Sequence, residues 1–562
     1  MLLESTASVA PIVDARQDAL EARKRRGAFF TPPQLAAFIA RQVIGSRDAR
    51  VLEPSCGEAV FVSAACTRLR ELGADRSVMA SQVTACEMHA ESIEAARRLL
   101  DVQGYSCAFW QGDFLRMPIE RRIDAVVGNP PYVRFQVLDA RQRAFQQDLA
   151  CRMGVQLSAL ASTWAPFVLR ACEHLVDGGA LGLVLPAELL SVNYAAPIRS
   201  FLLHSFAKVQ LFTFEQSVFP GVQEEVVVLV ARGYREGPSS ALSWHQCDSL
   251  ADVATASGVS FEPHRSADCW LGGLVASDAR RVLEGLEADG RVERLGRWGS
   301  LALGAVTGAN SFFALSPQEA EHRSLRLGDD CMPVLPSGAR YLRRLALDGE
   351  QWEGLGAAGA HTLLFRPASD ALSHAARSYV DEGQELGIDQ RYKCRIRSPW
   401  WRVPLTVAPD VFMTYMNSFG PNLVANEAGL VHLNSSHGII LHATRREIGM
   451  RLLPLAAFNS VSLLSAELVG RSYGGGVQKL EPREAVRLLV PSACVLEAAS
   501  AGLERLRQGV DDMLQRGNYH QAMECVDAVV LPALGLSDGE VRMVREARER
   551  MAGRRARRAN KG

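Results

Sequence analysis

The sequence predicts an α/β protein whose first part is a doubly wound, Rossmann-like sheet with an antiparallel final strand. Two observations predict this fold. From residue 50 to residue 235, short apolar segments alternate with helical patterns, and each apolar segment ends in a polar, glycine- or proline-containing loop. Alternation of this kind is typical of a mostly parallel sheet with helices on both faces.

The predicted elements follow in regular order along this part of the chain. Strands are expected at 50–54, 81–87, 106–114, 123–132 and 180–186, and a terminal hairpin at 209–215 and 224–233. Helical patterns cover 59–72, the stretch up to residue 100, and 160–175. The parallel strands place their carboxyl ends at one edge of the sheet, which is where doubly wound folds bind ligands.

Three domains are predicted from changes in pattern. Residues 1–237 form the sheet domain. Residues 238–491 lose the clear alternation, so we expect a mixed α+β domain there. Residues 492–562 show helical periodicity and end in a basic tail, with nine Arg or Lys and two Glu from residue 542 onward. That tail is either a solvated helix end or a contact to a polyanion.

Composition excludes several classes of protein. The 562 residues are 48% hydrophobic and 22% charged, which excludes a disordered or collagen-like chain. No run of about 18 uncharged apolar residues occurs, so no membrane span is expected, and no signal peptide is indicated. The 12 cysteines include no CxxC pair, so we expect reduced thiols in a cytoplasmic protein and no metal site.

Acidic residues stand at the ends of three successive predicted strands. They are Glu53, Glu87 and Asp113. Gly57 lets the backbone approach a ligand, and acids at Glu53 and Glu58 would repel a pyrophosphate. A carboxylate at Glu87 can accept both ribose hydroxyls of an adenosine. Each acid alone fits an ordinary turn or helix cap equally well, but three at one edge favour a nucleoside site.

The loop Asn129-Pro130-Pro131-Tyr132 follows the apolar strand IDAVVG. The Asn129 side-chain oxygen and the Pro130 carbonyl can each accept a hydrogen bond from an NH2 group. Two such acceptors favour a tetrahedral nitrogen with a free lone pair. The prolines stiffen the loop, and Tyr132 offers a flat face for a planar base. The pattern therefore predicts alkylation of an exocyclic or amide amine.

Together these segments resemble the S-adenosyl-L-methionine-dependent amino-methyltransferases, and more narrowly the gamma-type N6-adenine DNA methyltransferases of restriction–modification systems. Residues 27–32 (GAFFTP) resemble the N-terminal cofactor motif of that family, and 53–61 its cofactor loop. Two departures occur, Ala59 for the usual second glycine and Glu53 for the commoner Asp. The resemblance implies cofactor-binding roles for Phe30, Thr31, Glu53, Ser55, Gly57, Phe61, Glu87, Met88, Asp113, Phe114 and Asn129.

The resemblance also implies a reaction. It is methyl transfer to N6 of an adenine flipped out of duplex DNA, with Asn129, Pro130, Pro131 and Tyr132 as the catalytic loop. Phe219 falls where the family places a second aromatic that stacks on the target base. The expected partner is double-stranded DNA. A separate cognate restriction endonuclease is a further partner that the sequence leaves open, and neither a membrane nor a metal is expected.

The second predicted domain resembles, more loosely, the DNA-recognition domains of these enzymes at 298–315, 459–460 and 470–484. Residues 391–402 contain five basic residues and no acid, interleaved with aromatics. This pattern suits phosphate contact with stacking or insertion, or equally an edge strand with a basic outer face and a buried Trp pair. The candidate DNA-binding residues are Arg391, Lys393, Arg395, Arg397, Trp400, Trp401, Arg402 and Lys479.

Two other functions stay open. One is an amino-methyltransferase acting on RNA or on a protein glutamine amide. The 27–32 segment and the large second domain favour DNA over these substrates. The other is a catalytically inactive DNA-specificity subunit, against which the intact Glu87, Asp113, Asn129 and Tyr132 argue.

Overall fold

A computed structural model of the chain describes residues 31–133, 138–159, 161–216, 218, 225–263, 269–473 and 476–559. The chain divides into two compact units, Met1–Leu274 with Lys561–Gly562, and Val275–Asn560. Within the described ranges no single helix is long and apolar enough to span a membrane. One bent helix pair, Ala443–Ala456 with Ser460–Val469, meets that criterion only when its two parts are joined.

A nine-stranded sheet forms the frame of the first unit. Its strands are β1 (Val51–Glu53), β2 (Val83–Glu87), β3 (Ala108–Gln111), β4 (Ile123–Gly128), β5 (Leu175–Pro186), β6 (Phe206–Phe214), β7 (Val226–Tyr234), β8 (Leu242–Cys247) and β9 (Gly258–Phe261). Their order across the sheet is β3-β2-β1-β4-β5-β7-β6-β8-β9. Strands β1 to β5 are parallel, whereas β7 runs antiparallel to β5 and β6. The predicted doubly wound sheet with its antiparallel strand is confirmed.

Helices of the first unit are α1 (Pro33–Val43), α2 (Val60–Glu71), α3 (Ala90–Gln103), α4 (Ala140–Arg152), α5 (Trp164–His174) and α6 (Ala196–Ser205). The central strands β1, β4 and β5 are buried almost throughout, as expected for parallel strands covered on both faces. Gly182 in β5 permits close packing of α1, because a Cβ there would lie 2.6 Å from Ile39 Cγ2.

The first unit extends beyond the predicted domain boundary at residue 237. Strand β8 pairs in parallel with β6, and β9 pairs antiparallel with β8. The core-facing side chains Leu242, Trp244 and Cys247 are each at most 2% exposed. Because polar residues separate them, the segment has no long apolar run, and its pairing with the sheet was not evident from the sequence.

The second unit contains four smaller sheets. Its strands are β10 (Val292–Arg294), β11 (Gly299–Leu303), β12 (Ala314–Leu315), β13 (Cys331–Pro333), β14 (Ala346–Leu347), β15 (Leu363–Phe365), β16 (Val411–Thr414), β17 (Met416–Asn417), β18 (Leu423–Asn426), β19 (Ser436–Leu441), β20 (Arg471–Tyr473), β21 (Val477–Lys479) and β22 (Leu489–Pro491). They are arranged as β10-β22, β11-β19-β16-β18-β14, β12-β15-β13 and β17-β21-β20. This mixed α+β architecture agrees with the prediction.

The longer helices of this unit are α7 (Ser277–Ala288), α8 (Pro317–His322), α9 (Gly349–Ala357), α10 (His374–Glu385), α11 (Arg446–Ala456), α12 (Ser460–Val469), α13 (Ala493–Arg516), α14 (Tyr519–Ala533) and α15 (Asp538–Ala559). The predicted helical extension from residue 492 is present as α13 to α15. It belongs to the same compact unit as the strands, because α13 packs on α11 and α15 packs on α12.

Several arginines of α15 are buried in the second unit, which differs from both expectations for the basic tail. Arg548 is buried with its guanidinium 3.9 Å from the centre of the Phe419 ring. Arg555 pairs with the buried Glu467 at 2.8 Å and donates to the carbonyl of Ser418 at 2.9 Å. It also donates to the carbonyl of Gly476. These bonds connect α15 to α12 and to the residues beside β17 and β21.

Replacing Arg555 by Ala is expected to lower the free energy of unfolding of the second unit by about 3–5 kcal/mol, because it leaves the Glu467 carboxylate buried without a partner. Chemical denaturation monitored by circular dichroism would measure the change. Arg550→Ala, on the exposed face of the same helix, is the control and should change stability by less than about 0.5 kcal/mol. Equal stability of the two variants would contradict a structural role for Arg555.

Candidate functional site at the carboxyl edge of the sheet

Glu53 lies at the end of β1 and is 1% exposed. Its Oε1 accepts a hydrogen bond from the Ser55 N–H at 3.2 Å, while Oε2 has no partner among the described residues. Burial raises the pKa of the Glu53 carboxyl well above its usual value, and the nearby charge of Glu87 adds to the rise. A buried acceptor without a partner costs free energy, so this oxygen is suited to a polar or cationic ligand.

Gly128 allows β4 to approach this carboxyl closely. A Cβ at residue 128 would lie 2.7 Å from Glu53 Oε1 and 3.0 Å from Pro54 Cδ. Any larger residue at this position would therefore force the buried Glu53 carboxyl or Pro54 to move, which glycine avoids. Sequence reasoning did not identify this requirement, because the contact joins residues of two different strands.

Glu87, at the end of β2, holds the loop between β1 and α2. Its Oε2 accepts the Gly57 N–H at 3.0 Å, and its Oε1 accepts the His89 N–H at 3.1 Å. An ionised carboxylate has about four acceptor positions, so both oxygens can still accept further hydrogen bonds. A Cβ built on Gly57 would meet no atom within 4 Å, which leaves open space above the loop.

Ala59, which stands in place of the usual second glycine, has a backbone conformation that favours glycine. Its φ is +62° and its ψ is +25°, in the left-handed region. For a residue with a Cβ this conformation costs roughly 1–2 kcal/mol. The side chain is fully buried, and α2 begins at the next residue. The loop therefore contains an alanine at a position whose backbone favours glycine.

The other predicted cofactor residues differ in exposure. Asp113 caps a short turn by accepting the Leu115 N–H at 3.1 Å. Phe114 and Phe61 are 2% and 5% exposed, so both rings belong to the core in this structure. Met88 is 61% exposed. Phe30, predicted beside the cofactor, lies outside the described residues, as does Phe219, predicted at the target base.

Asn129 holds the first end of the loop 129–132, which the sequence predicts to be catalytic. The Asn129 Nδ2 donates to Thr31 Oγ1 at 3.2 Å, and its backbone carbonyl accepts the Ser55 hydroxyl at 3.1 Å. Both partners are residues that the sequence predicted at the cofactor site. The structure therefore places the N-terminal segment, the loop after β1 and the loop after β4 in direct contact.

The two acceptors predicted for the target amine differ in whether they already accept a hydrogen bond. Asn129 Oδ1 accepts the Tyr132 hydroxyl at 2.6 Å, and the carbonyl of Val184 lies 3.0 Å from the same hydroxyl. Tyr132 itself is only 9% exposed. The carbonyl of Pro130 receives no hydrogen bond from the described part of the chain. One predicted acceptor is thus already engaged by the Tyr132 hydroxyl, and the other is available.

The predicted DNA-binding segment 391–402 is helical at Tyr392–Arg395 and contains no strand. Arg391, Lys393 and Arg395 are exposed, and among the described residues none of the three forms an ion pair. Unlike these exposed cations, Trp400 and Trp401 are partly or fully buried. Trp401 is 6% exposed, and Trp400 packs 5.8 Å from the Phe312 ring. Trp401 therefore belongs to the core and the partly buried Trp400 packs against it, close to the alternative interpretation, although the predicted edge strand is absent.

Exposed apolar side chains nevertheless occur beside these cations. Tyr392 and Ile396 are 65% and 60% exposed, and their spacing of four residues puts them on one face of the short helical turn. The Arg397 guanidinium donates to the carbonyl of Val306, a residue that is itself 38% exposed. Sequence reasoning missed Tyr392 and Ile396, because the neighbouring Trp pair was the stronger aromatic signal.

The other residues of the second unit that the sequence singled out, Arg402, Lys479 and 459–460, bond to other residues of the protein. Lys479 pairs with Glu481 at 2.8 Å, and Arg402 pairs with Asp370. Asn459 caps α12 by accepting the Ser462 N–H at 3.0 Å. The hydroxyl of Ser460 donates to the buried Asp527 at 2.7 Å. Their charges and polar groups are largely satisfied within the protein.

Two family models match the chain. The Eco57I restriction-modification methylase model matches residues 84–219, which include Asn129–Tyr132. The model of the C-terminal domain of the type II methyltransferase M.Eco57I matches residues 267–531. The doubly wound sheet with its antiparallel strand is a methyltransferase fold. The two matched models and the type II methyltransferase relatives show that the chain is a DNA methyltransferase of a restriction–modification system.

Relatives that match over most of both chains support this assignment. The chain is 25% identical to the type II methyltransferase M.XamI of Xanthomonas campestris pv. amaranthicola, over 83% of this chain and 85% of the relative. It is 21% identical to M.AccI of Acinetobacter calcoaceticus, with the same coverage. The solved structure of the type IIL restriction-modification enzyme MmeI in complex with DNA is similar with a TM-score of 0.54 and 12% identity, over 96% of this chain and 77% of that chain. The last likeness supports the fold.

His174 packs behind Phe114, with ring centroids 5.6 Å apart, and its Nε2 is buried without a described partner. Burial lowers the pKa of His174 from 6.5 to about 4. The unfolded chain therefore binds a proton more readily than the folded chain below pH 6.5. Above pH 6.5 the neutral His174 does not reduce the free energy of unfolding. As the pH falls from 6.5 toward 4, that free energy is expected to decrease by up to about 3 kcal/mol.

Denaturation at several pH values would test this expectation. In His174→Leu the dependence of unfolding free energy on pH between 6.5 and 4 should be flatter than in the wild type. His204→Leu, at an exposed position in the same unit, should keep the wild-type dependence. Parallel curves for wild type and His174→Leu would show that His174 is not the responsible group.

Proposed function

We propose that the protein transfers the methyl group of S-adenosyl-L-methionine to N6 of adenine in duplex DNA, as the modification enzyme of a restriction–modification system. The observation that supports adenine N6 is the loop at the end of β4. It offers the Asn129 side-chain oxygen and the unengaged Pro130 carbonyl as two acceptors for one amine. A separate restriction endonuclease would act on the same DNA sequence.

The residues around Gly57 fit this cofactor. The unpartnered Glu53 Oε2 suits a positively charged ligand group, and the remaining acceptor positions of Glu87 suit the two ribose hydroxyls. The open space above Gly57 leaves room for the nucleoside. S-adenosylmethionine supplies an electrophilic methyl group on a sulfonium, which leaves as a neutral thioether. Phe30, Thr31, Ser55, Phe61, Met88, Asp113 and Phe114 complete the proposed cofactor set.

The catalytic loop would act by positioning the target amine. Entry of the amine displaces the Tyr132 hydroxyl from Asn129 Oδ1, and the two N–H bonds then point at Asn129 and at the Pro130 carbonyl. These acceptors stabilise the nitrogen most strongly as it becomes tetrahedral. The displaced Tyr132 would stack on the flipped base together with Phe219. Flipping costs a few kcal/mol, which contacts to DNA must offset.

Asn129→Ala is expected to lower kcat about a hundredfold or more while KM changes little, because the lost acceptor matters mainly in the transition state. Tritium transfer from labelled cofactor to duplex DNA would measure the rate, and calorimetry would confirm retained cofactor binding. Tyr132→Phe should keep part of the activity, since its ring can still stack.

The possible outcomes of this experiment separate the candidate functions. Near-normal transfer by Asn129→Ala would contradict the proposed mechanism. Transfer by the wild type to RNA or protein, but not to DNA, would favour the alternative amino-methyltransferase. Wild-type protein that binds DNA without binding the cofactor would instead be a specificity subunit.

For DNA recognition we propose Arg391, Lys393 and Arg395 as phosphate contacts, with Arg397, Arg402 and Lys479 in supporting positions. We further propose that the exposed Tyr392 and Ile396, rather than Trp400 and Trp401, contact or insert between bases. Three cations without acidic partners favour a polyanion, and apolar side chains inserted at base steps are a common device of DNA-bending proteins.

The double variant Lys393→Ala/Arg395→Ala is expected to bind DNA more weakly, and its affinity should depend less on salt. Each lost phosphate contact lowers the slope of log K against log salt by about 0.9. Fluorescence anisotropy at several salt concentrations would measure the slope. Arg281→Ala is the control, because Arg281 is already paired with Asp278. An unchanged slope in the folded double variant would place the DNA elsewhere.

A further inference from the structure

Thr163 makes three hydrogen bonds to the end of the catalytic loop. Its hydroxyl donates to the Pro131 carbonyl at 2.6 Å and accepts the Val133 N–H at 3.0 Å. Its own N–H donates to the Val133 carbonyl at 3.0 Å. The side chain is buried, with 7% of the residue exposed. Thr163 thus binds the end of the loop that follows Pro130, whereas Thr31 and Ser55 hold Asn129.

The backbone of Thr163 leaves its hydroxyl free to bond away from the helix that it precedes. Thr163 lies immediately before α5 and is already helical, with φ −58° and ψ −28°, and its side chain makes no cap bond to that helix. The hydroxyl bonds instead to residues some thirty positions earlier in the chain.

The two prolines explain why the loop needs an external partner. Neither Pro130 nor Pro131 has an N–H, so apart from the Tyr132 hydroxyl this stretch can be held only through its carbonyls and through the N–H groups of Tyr132 and Val133. A hydroxyl can donate and accept at once. One threonine therefore satisfies the Pro131 carbonyl and the Val133 N–H, and the Pro130 carbonyl between the two sets of bonds has no partner among the described residues.

We infer that Thr163 is a positioning residue that aims the Pro130 carbonyl and Tyr132 at the target base. This inference rests on the proposed function for its consequence in catalysis, but the hydrogen bonds themselves do not depend on the substrate. Loss of the hydroxyl would let the second half of the loop move while Asn129 and the cofactor loop stay in place. The chemical step would then slow without loss of cofactor affinity.

Thr163→Val removes the hydroxyl at nearly constant size, and Thr163→Ser restores it. The valine variant is expected to lose about ten- to a hundredfold in kcat, with unchanged dissociation constants for S-adenosylmethionine and DNA. The serine variant should recover most of the activity. Ser162→Ala is the matched control, because the neighbouring Ser162 is equally buried and accepts a hydrogen bond from Tyr194 rather than from the loop.

Hydrogen exchange gives a second measurement that does not require methylation. The Val133 amide should exchange at least about tenfold faster in Thr163→Val than in the wild type, because its acceptor has been removed. Should the valine variant not fold, Thr163→Cys, with a weaker donor and acceptor, is compared in the same way.

The outcomes distinguish this inference from the proposed function. Normal kcat or unchanged Val133 exchange in the valine variant would overturn the role of Thr163. So would a parallel loss of cofactor binding, or a serine variant as slow as valine. If the wild type transferred no methyl group to DNA while Val133 exchange still responded, the proposed function would fail and the positioning of the loop would stand.

Discussion

The hydrogen bonds that hold the loop 129–133 are the constraint on which the candidate site depends. They come from Thr31, Ser55 and Thr163, which lie on three separate segments of the first unit. These segments meet because parallel strands deliver their carboxyl ends to one edge of the sheet. The sheet therefore does more than support the site, since its strand order decides which loops can reach one another.

In the second unit, the small sheets depend on packing against helices for their stability. Its sheets are small, and single sheets of two or three strands are not stable without packing against other elements. Helix α15 contributes to that packing through the buried ion pair of Arg555 with Glu467 and through the partly exposed Arg545, which pairs with the buried Asp527. Cations that look from the sequence like a surface feature are in this way part of the interior.

Residue patterns identified those members of the candidate site whose role depends on neighbouring residues in the sequence. Glu53, Glu87 and Asn129 were recognisable because each follows an apolar strand, and the structure brings the loops that contain them together. The contributions of Gly128 and Thr163 were not recognisable, because each depends on a distance between segments far apart in sequence. Strands β8 and β9 were missed for a related reason: their pairing partners, rather than their own composition, fix them.

The sequence did not show which aromatic residues beside the basic ones are buried and which are exposed. Trp400 and Trp401 stand next to cations in the sequence, yet Trp401 is buried in the core, Trp400 packs against it, and Tyr392 and Ile396 are exposed. The alternation of basic and aromatic residues is the same in either arrangement. Only three-dimensional packing distinguishes a side chain that covers the core from one that faces a partner.

The left-handed backbone at Ala59 limits which sequences can occupy this site during evolution. Glycine avoids the steric cost at this φ, and its codons differ from those of alanine by a single base, so the change is accessible in one mutational step. Valine, isoleucine and threonine, whose branched Cβ fits this region poorly, are expected to be rare among functional variants. A saturation library at codon 59 should therefore retain few residues, with glycine and alanine foremost.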